Sequence, residues 1–232
     1  MSYLSRLQNI LNRHGPKAAV AKFWGIAADR WFDWRHGTDN RTPEKLDGYT
    51  IVGESRKHAA SYGASRAMPL KCLFTRLRGR SFGGGGFVDF GCGNAKVLVM
   101  AAHCQIRPVR GVEFARELCE LARRNWAAFC HRTGTPAETG TIIEGDAGAY
   151  ACQPDETMYF LYCPSFDETI LRKVLANISA SLRAHPRAAA IIICNASPSY
   201  QAVMQEMVPE FAHLQKAIFW GYPYFIYSNR TD

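Results

Sequence analysis

The residues best placed to do chemistry lie in the run Phe87-Val88-Asp89-Phe90-Gly91-Cys92-Gly93-Asn94-Ala95. An apolar segment carries an acid, two glycines follow one residue apart, and a helix-like run extends from Ala95 to His103. This pattern predicts a strand, a tight turn and a helix N-terminus, the arrangement with which α/β folds hold nucleotide-like ligands. Glycine lacks a Cβ, so the backbone at Gly91 and Gly93 can turn sharply and approach a ligand closely. A carboxylate at Asp89 then selects by charge. It suits a ligand bearing positive charge and opposes one bearing phosphates.

Two more acids extend the pattern. Val109-Arg110-Gly111-Val112-Glu113 reads as a second strand ending in an acid, at about the spacing from which such folds grip a ribose. Thr141-Ile142-Ile143-Glu144-Gly145-Asp146 reads as a third strand with an acid just past its end. Asp89, Glu113 and Asp146 thus fall at or just beyond the carboxyl ends of three successive strands, where open α/β sheets bind ligands. A dinucleotide site would place a third glycine at the sixth position of the turn, and this chain has Lys96 there. Three acids around one crevice would repel a pyrophosphate. They suit S-adenosylmethionine, with its ammonium, its sulfonium, two ribose hydroxyls and an adenine amine.

From Phe87 to about Phe166 the chain resembles the class I, seven-strand S-adenosylmethionine-dependent methyltransferases. The similarity is greatest to a bacterial group of mostly undefined substrate. Its members carry a Phe-Val-Asp-hydrophobic-Gly-Ser/Cys-Gly turn, a Gly-Val-Glu second strand, a Gly-Asp-Ala third-strand end and a Tyr-Asn-Pro-Phe fourth-strand end. Here Gly111-Val112-Glu113, Gly145-Asp146-Ala147 and Tyr162-Cys163-Pro164-Ser165-Phe166 stand at matching places. Phe32-Asp33-Trp34-Arg35-His36-Gly37-Thr38-Asp39 and Tyr62-Gly63-Ala64-Ser65 match more loosely. The order of motifs is specific for the cofactor, whereas a single glycine pair is weak.

The resemblance implies a Rossmann-like, mostly parallel seven-stranded sheet with helices on both faces, closed by a hairpin and preceded by a helical extension. The roles that follow place Gly91, Cys92 and Gly93 against the methionine part of the cofactor and Asp89 on its ammonium. Glu113, followed by Phe114, takes the ribose hydroxyls. Asp146 and the backbone amide of Ala147 take the adenine. Tyr162, Cys163 and Pro164 border the transferred methyl as candidate catalytic residues, with Tyr62 closing over them. Two departures stand out. Ala95 occupies the place of a third glycine, and Cys163 that of the usual asparagine. In enzymes that methylate exocyclic base amines, the polar residue before the proline accepts a hydrogen bond from the target nitrogen, and a thiol accepts weakly. Base methylation is disfavoured on that ground.

Composition supports one globular unit of 232 residues, 47% of them hydrophobic. No run reaches the ~18 to 20 apolar residues that a membrane helix requires, and Met1 to Arg13 has no export signal. The eight cysteines form no Cys-x-x-Cys pair, which points to a reducing cytoplasm and no structural metal. The formal charge of +8 rests on scattered arginines, with small clusters at Arg76, Arg78 and Arg80 and at Arg123 and Arg124. It reads as a solvated basic surface. The acceptor is therefore a small molecule or a protein side chain, with RNA behind them. A non-catalytic methyltransferase-like binding module is the alternative, with Cys163 as its sign of lost chemistry. A nicotinamide-dependent oxidoreductase is disfavoured by Lys96 and by the acid before Gly91.

Residues 1–80 read as a helical extension that could cap the substrate, and 81–232 as the cofactor-binding core. Helices are expected from Ser2 to Asn12 and from Pro16 towards Trp34. The aromatics Phe23, Trp24, Trp31, Phe32 and Trp34 fit docking onto the sheet better than a substrate mouth or a membrane interface. Met68 to Leu77 continues the helical reading, and Arg80 to Gly86, with four consecutive glycines, reads as a flexible connector. Further on come a strand from Thr157 to Tyr162, a helix from Asp167 to Arg183 and a strand from Ala188 to Cys194. A helix from Ser199 to Met207 precedes an antiparallel pair, Ala212 to Trp220 and Tyr222 to Ser228. His58, His103 and Asp167 are candidate bases by residue type, and a structural role fits each of them better. Phe219, Trp220, Tyr222, Tyr224, Phe225 and Tyr227 fit core packing, or alternatively an acceptor pocket.

Overall fold

Strands covered on both faces read as unbroken apolar runs, and the segments Gly86–Phe90 and Ala190–Cys194 are buried at every position. The computed structural model describes residues 20, 24–39, 50, 65–162 and 167–231. Helix α1 covers residues 24–36, followed by α2 (Ala67–Leu77), β1 (Gly86–Phe90), α3 (Lys96–His103), β2 (Val109–Glu113) and α4 (Arg116–Thr133). Then come β3 (Gly140–Glu144), β4 (Glu156–Tyr162), α5 (Glu168–Ala184), β5 (Ala190–Cys194), α6 (Pro198–Met207), β6 (His213–Phe219) and β7 (Tyr222–Ser228). The seven strands form one sheet in the order β3-β2-β1-β4-β5-β7-β6. Strands β1 to β5 are parallel, and β7 runs antiparallel to both β5 and β6. The order reverses between β1 and β4, so the crevice at the carboxyl ends of these two strands is the switch point at which such sheets bind ligands.

Alternate strand residues feed two cores. Phe87, Phe160 and Ile192 face a layer built from Phe32 of α1, α2, α3 and α4. Val88, Tyr159 and Ile191 face α5 and α6. The hairpin between β6 and β7 turns on Trp220 and Gly221, both with positive φ (55° and 81°), as a two-residue turn between twisted strands requires. The expected seven-stranded, mostly parallel architecture with helices on both faces and a closing antiparallel pair is the one observed.

Two local expectations change, at the connector and on α1. The glycine-rich connector is packed: Phe82 is buried, its carbonyl accepts from Thr157 Oγ1, and a Cβ on Gly85 would meet Thr157 at 2.5 Å. Between β3 and β4 the chain makes only a 3₁₀ turn, Ala147–Ala149, which packs on α5. On α1, Phe32 docks into the core, whereas Trp24, Trp31 and Trp34 are 61%, 56% and 73% exposed. The inward stripe is Asp29, Phe32 and His36, spaced at i, i+3 and i+7 on one helix face.

Candidate functional site

The turn after β1 folds back against β2. Gly91, Gly93 and Ala95 all have positive φ (73°, 53° and 68°), a conformation glycine adopts freely and alanine at a cost of roughly 1–2 kcal/mol. The amides of Gly91 and Cys92 donate to the Val112 carbonyl at 2.8 and 3.1 Å, and that of Ala95 to Cys92 at 2.9 Å. Gly111 permits this approach, since a Cβ there would lie 2.6 Å from both Cys92 Sγ and Leu98 Cδ1.

Glu113 closes the turn. Its Oε2 accepts from the Gly93 amide at 2.8 Å and its Oε1 from the Ala115 amide at 3.0 Å. Burial pushes its carboxyl up, and the N–H groups of Ala115, Gly93 and Phe114 partly offset this. Each oxygen keeps a further lone pair for a ligand hydroxyl. Asp89, the fourth residue of the neighbouring β1, is 2% exposed, and its Oδ2 has no hydrogen-bond partner. Burial first, and the Glu113 charge second, hold its carboxyl well above the usual range. A buried acid without a partner is costly, and it fits a cationic group brought by a ligand. Cys119 on α4 donates to the Glu113 carbonyl; burial and the Glu113 charge push its thiol up to about 12.

Asp146, beyond β3, is the N-cap of the 3₁₀ turn, and its Oδ1 accepts from the Gly148 amide at 2.8 Å. Ala147 follows it, buried, at the foot of that turn. The three acids therefore do lie at adjacent strand ends, with Asp89 and Glu113 in electrostatic contact.

On the other flank, Tyr162 ends β4 in register with Cys194 of β5, which is in register with Tyr224 of β7. Tyr224 is buried and Tyr162 partly so, both packed in the core beneath the helices. Tyr62, Cys163 and Pro164 lie outside the described residues, as does His58. Of the other base candidates, Asp167 caps α5 by accepting from the Ile170 amide. His103 ends α3 against His36, with ring centroids 5.0 Å apart, seven residues from the turn and so about 10 Å along the helix from it.

A second ring of side chains ties the extension to the turn, and sequence reading misses it. Lys96, the first residue of α3, is 5% exposed, and its Nζ donates to Asp29 Oδ1 of α1 at 2.7 Å. Asp29 also accepts from the Ala67 amide and from Arg66 Nη1, at 2.8 and 2.7 Å. Burial works to raise the Asp29 carboxyl, but Lys96 and Arg66 outweigh it and hold the group below the usual range. Asn125 of α4 clamps the next loop, donating to the carbonyls of Asn94 and Asp39. The one local signal for this ring is a lysine at the head of the apolar run that fills α3 as far as Ala102.

The chain matches no protein-family model and no curated protein sequence. Solved structures do share its fold. A precorrin-6y C5,15-methyltransferase from Geobacter metallireducens superposes with a TM-score of 0.53 at 13% identity, covering 82% of this chain and all (100%) of that one. A candidate RNA methyltransferase from Pyrococcus horikoshii gives 0.51 at 15% identity over 90% of this chain and 94% of its own. TrmN from Thermus thermophilus gives 0.53 at 16% identity over 73% of this chain, which spans 50% of it. At such identities the likeness establishes the fold alone: a seven-stranded, Rossmann-like sheet of the kind these methyltransferases share.

Proposed function

We propose that this chain is an S-adenosylmethionine-dependent methyltransferase acting on a small molecule or a protein side chain. The observation that carries the reading is Asp89 Oδ2: a buried, unpartnered acid oxygen on the strand that flanks the switch point, beside Glu113. A ligand with an ammonium group relieves both the missing partner and the repulsion. Glu113, oriented by the Gly93 and Ala115 amides, presents its remaining lone pairs to ribose hydroxyls. Asp146 and the Ala147 amide border the adenine, while Gly91 and Cys92 give the methionine portion its floor. Phe114 follows Glu113 and supplies apolar contact to the nucleoside. When bound, the cofactor supplies an already activated methyl group, so the protein aligns the nucleophile and excludes water.

Tyr162, with Cys163 and Pro164 after it, borders the acceptor, and Tyr62 from the extension closes over it. Residues 1–80 serve as the cap on the core of residues 81–232. Calorimetry with S-adenosylmethionine and with NAD tests the cofactor: S-adenosylmethionine binds, and tight NAD binding in its place overturns the proposal. Release of S-adenosylhomocysteine from a panel of small-molecule, peptide and RNA acceptors then separates an enzyme from a cofactor-binding module and identifies the acceptor class.

A further inference from the structure

We propose that the ammonium of Lys96, held by Asp29, binds the α-carboxylate of the cofactor's methionine portion, which makes helix α1 part of the cofactor site. This inference rests on the cofactor reading above.

Three observations carry it. First, Lys96 is 5% exposed, and among the described residues Asp29 is the one acceptor of its ammonium. An ammonium has three protons to donate, so two remain for a ligand. Second, the local charge does not balance. Lys96 and Arg66 share the single carboxylate of Asp29, leaving one positive charge for an incoming anion to neutralise. Third, the turn has few amides to offer. Those of Gly91, Cys92 and Ala95 donate to protein carbonyls and that of Gly93 to Glu113. A carboxylate settling beside this turn therefore needs a side-chain cation.

The anion must also tolerate Asp89, which stands before the turn as Lys96 stands after it. An acid lacking a partner on one side and an under-used ammonium on the other complement an α-amino acid zwitterion, ammonium to Asp89 and carboxylate to Lys96. A phosphate would satisfy Lys96 and oppose Asp89.

The test compares S-adenosylmethionine with its decarboxylated analogue, which keeps the ammonium, sulfonium and nucleoside and lacks only the carboxylate. In the wild-type protein the ratio of the two affinities should favour S-adenosylmethionine by about 10- to 100-fold, the scale of a charge-assisted hydrogen bond. Lys96→Met should bring the ratio close to one by weakening S-adenosylmethionine alone, and Lys96→Arg should restore part of it. Asp29→Asn should lower the ratio by a smaller factor, with the analogue's affinity kept. A wild-type ratio near one overturns the proposal without any variant. So does a Lys96→Met protein that binds both ligands equally less well. If the wild type binds neither ligand, the cofactor reading itself fails, an outcome distinct from both.

Discussion

Replacing Glu113 with glutamine is the most informative single perturbation, because the structure gives this side chain two duties. Its oxygens hold the amides of Gly93 and Ala115 at 2.8 and 3.0 Å, and in the proposed complex they also accept from the ribose. Glutamine keeps one oxygen and puts an NH₂ where the other stood, so one amide faces a donor. A lost hydrogen bond to a charged group costs about 1.5–3 kcal/mol. Relief of the buried charge that raises this carboxyl works the other way. The melting temperature should therefore fall while folding stays cooperative. Affinity for S-adenosylhomocysteine should fall by about 5- to 150-fold, the equivalent of 1–3 kcal/mol for a missing acceptor. Calorimetry on the folded variant reads this loss. An analogue without ribose hydroxyls isolates it, because its already weak binding should not change. If both ligands weaken alike, or neither does, Glu113 only supports the turn and the ribose assignment is refuted.

Other outcomes follow from the same geometry. Asp89 is raised by burial and by Glu113, so the folded protein holds a proton that the unfolded chain releases. Its stability contribution is thus present at low pH and declines as pH rises from about 3.9 towards the raised value, at up to about 1.4 kcal/mol per pH unit. A ligand ammonium favours the ionised form, so cofactor binding should release protons and tighten with pH. Calorimetry in buffers of different ionisation enthalpy measures the release, and Asp89→Asn should reduce it; an undiminished release would assign the protons elsewhere. Ala95→Gly relieves a left-handed alanine and should raise stability by about 1 kcal/mol in a denaturant melt. Gly111→Ala forces a Cβ against Cys92 and Leu98, whereas Gly140→Ala overpacks Trp126 at the start of β3. Both should destabilise by about 1–3 kcal/mol, but only Gly111→Ala, which displaces the turn, should weaken cofactor binding in proportionate excess.

What the sequence discloses is what is local. Buried parallel strands are short apolar runs, so β1, β4 and β5 can be placed within a few residues, and Asp89 inherits the placement of β1. The closing hairpin announces itself through Gly221 between two aromatic strands. What stays hidden is held by contacts between distant segments. Lys96 meets Asp29 across 67 residues of chain, and Asn125 meets Asp39 across 86. No spacing rule predicts either. The tryptophans of α1 mislead for a different reason. Apolar residues at helical spacing read as a docking face, but this helix turns a polar stripe of Asp29 and His36 inward around Phe32. That stripe meets Lys96, whose buried charge decides which face docks, since an unpaired internal ammonium costs more than exposed indoles.

The electrostatics of the crevice are accordingly more conditional than three carboxylates in a row. Asp89 and Glu113 are both raised, by burial first and, for Asp89, by the Glu113 charge second, so each added negative charge in this crevice is opposed. Selection against a polyanion then comes from a site whose ionisation a bound cation favours and further negative charge opposes. Lys96 sharpens this selection. It makes the same turn attractive to one carboxylate, while Asp89 limits how much further negative charge can follow. A zwitterion satisfies both groups and lets Asp89 ionise; a pyrophosphate satisfies Lys96 alone and drives Asp89 further towards its protonated form. The preference for a zwitterionic ligand should therefore widen as pH rises and narrow as it falls, a dependence that three permanently ionised acids would not produce.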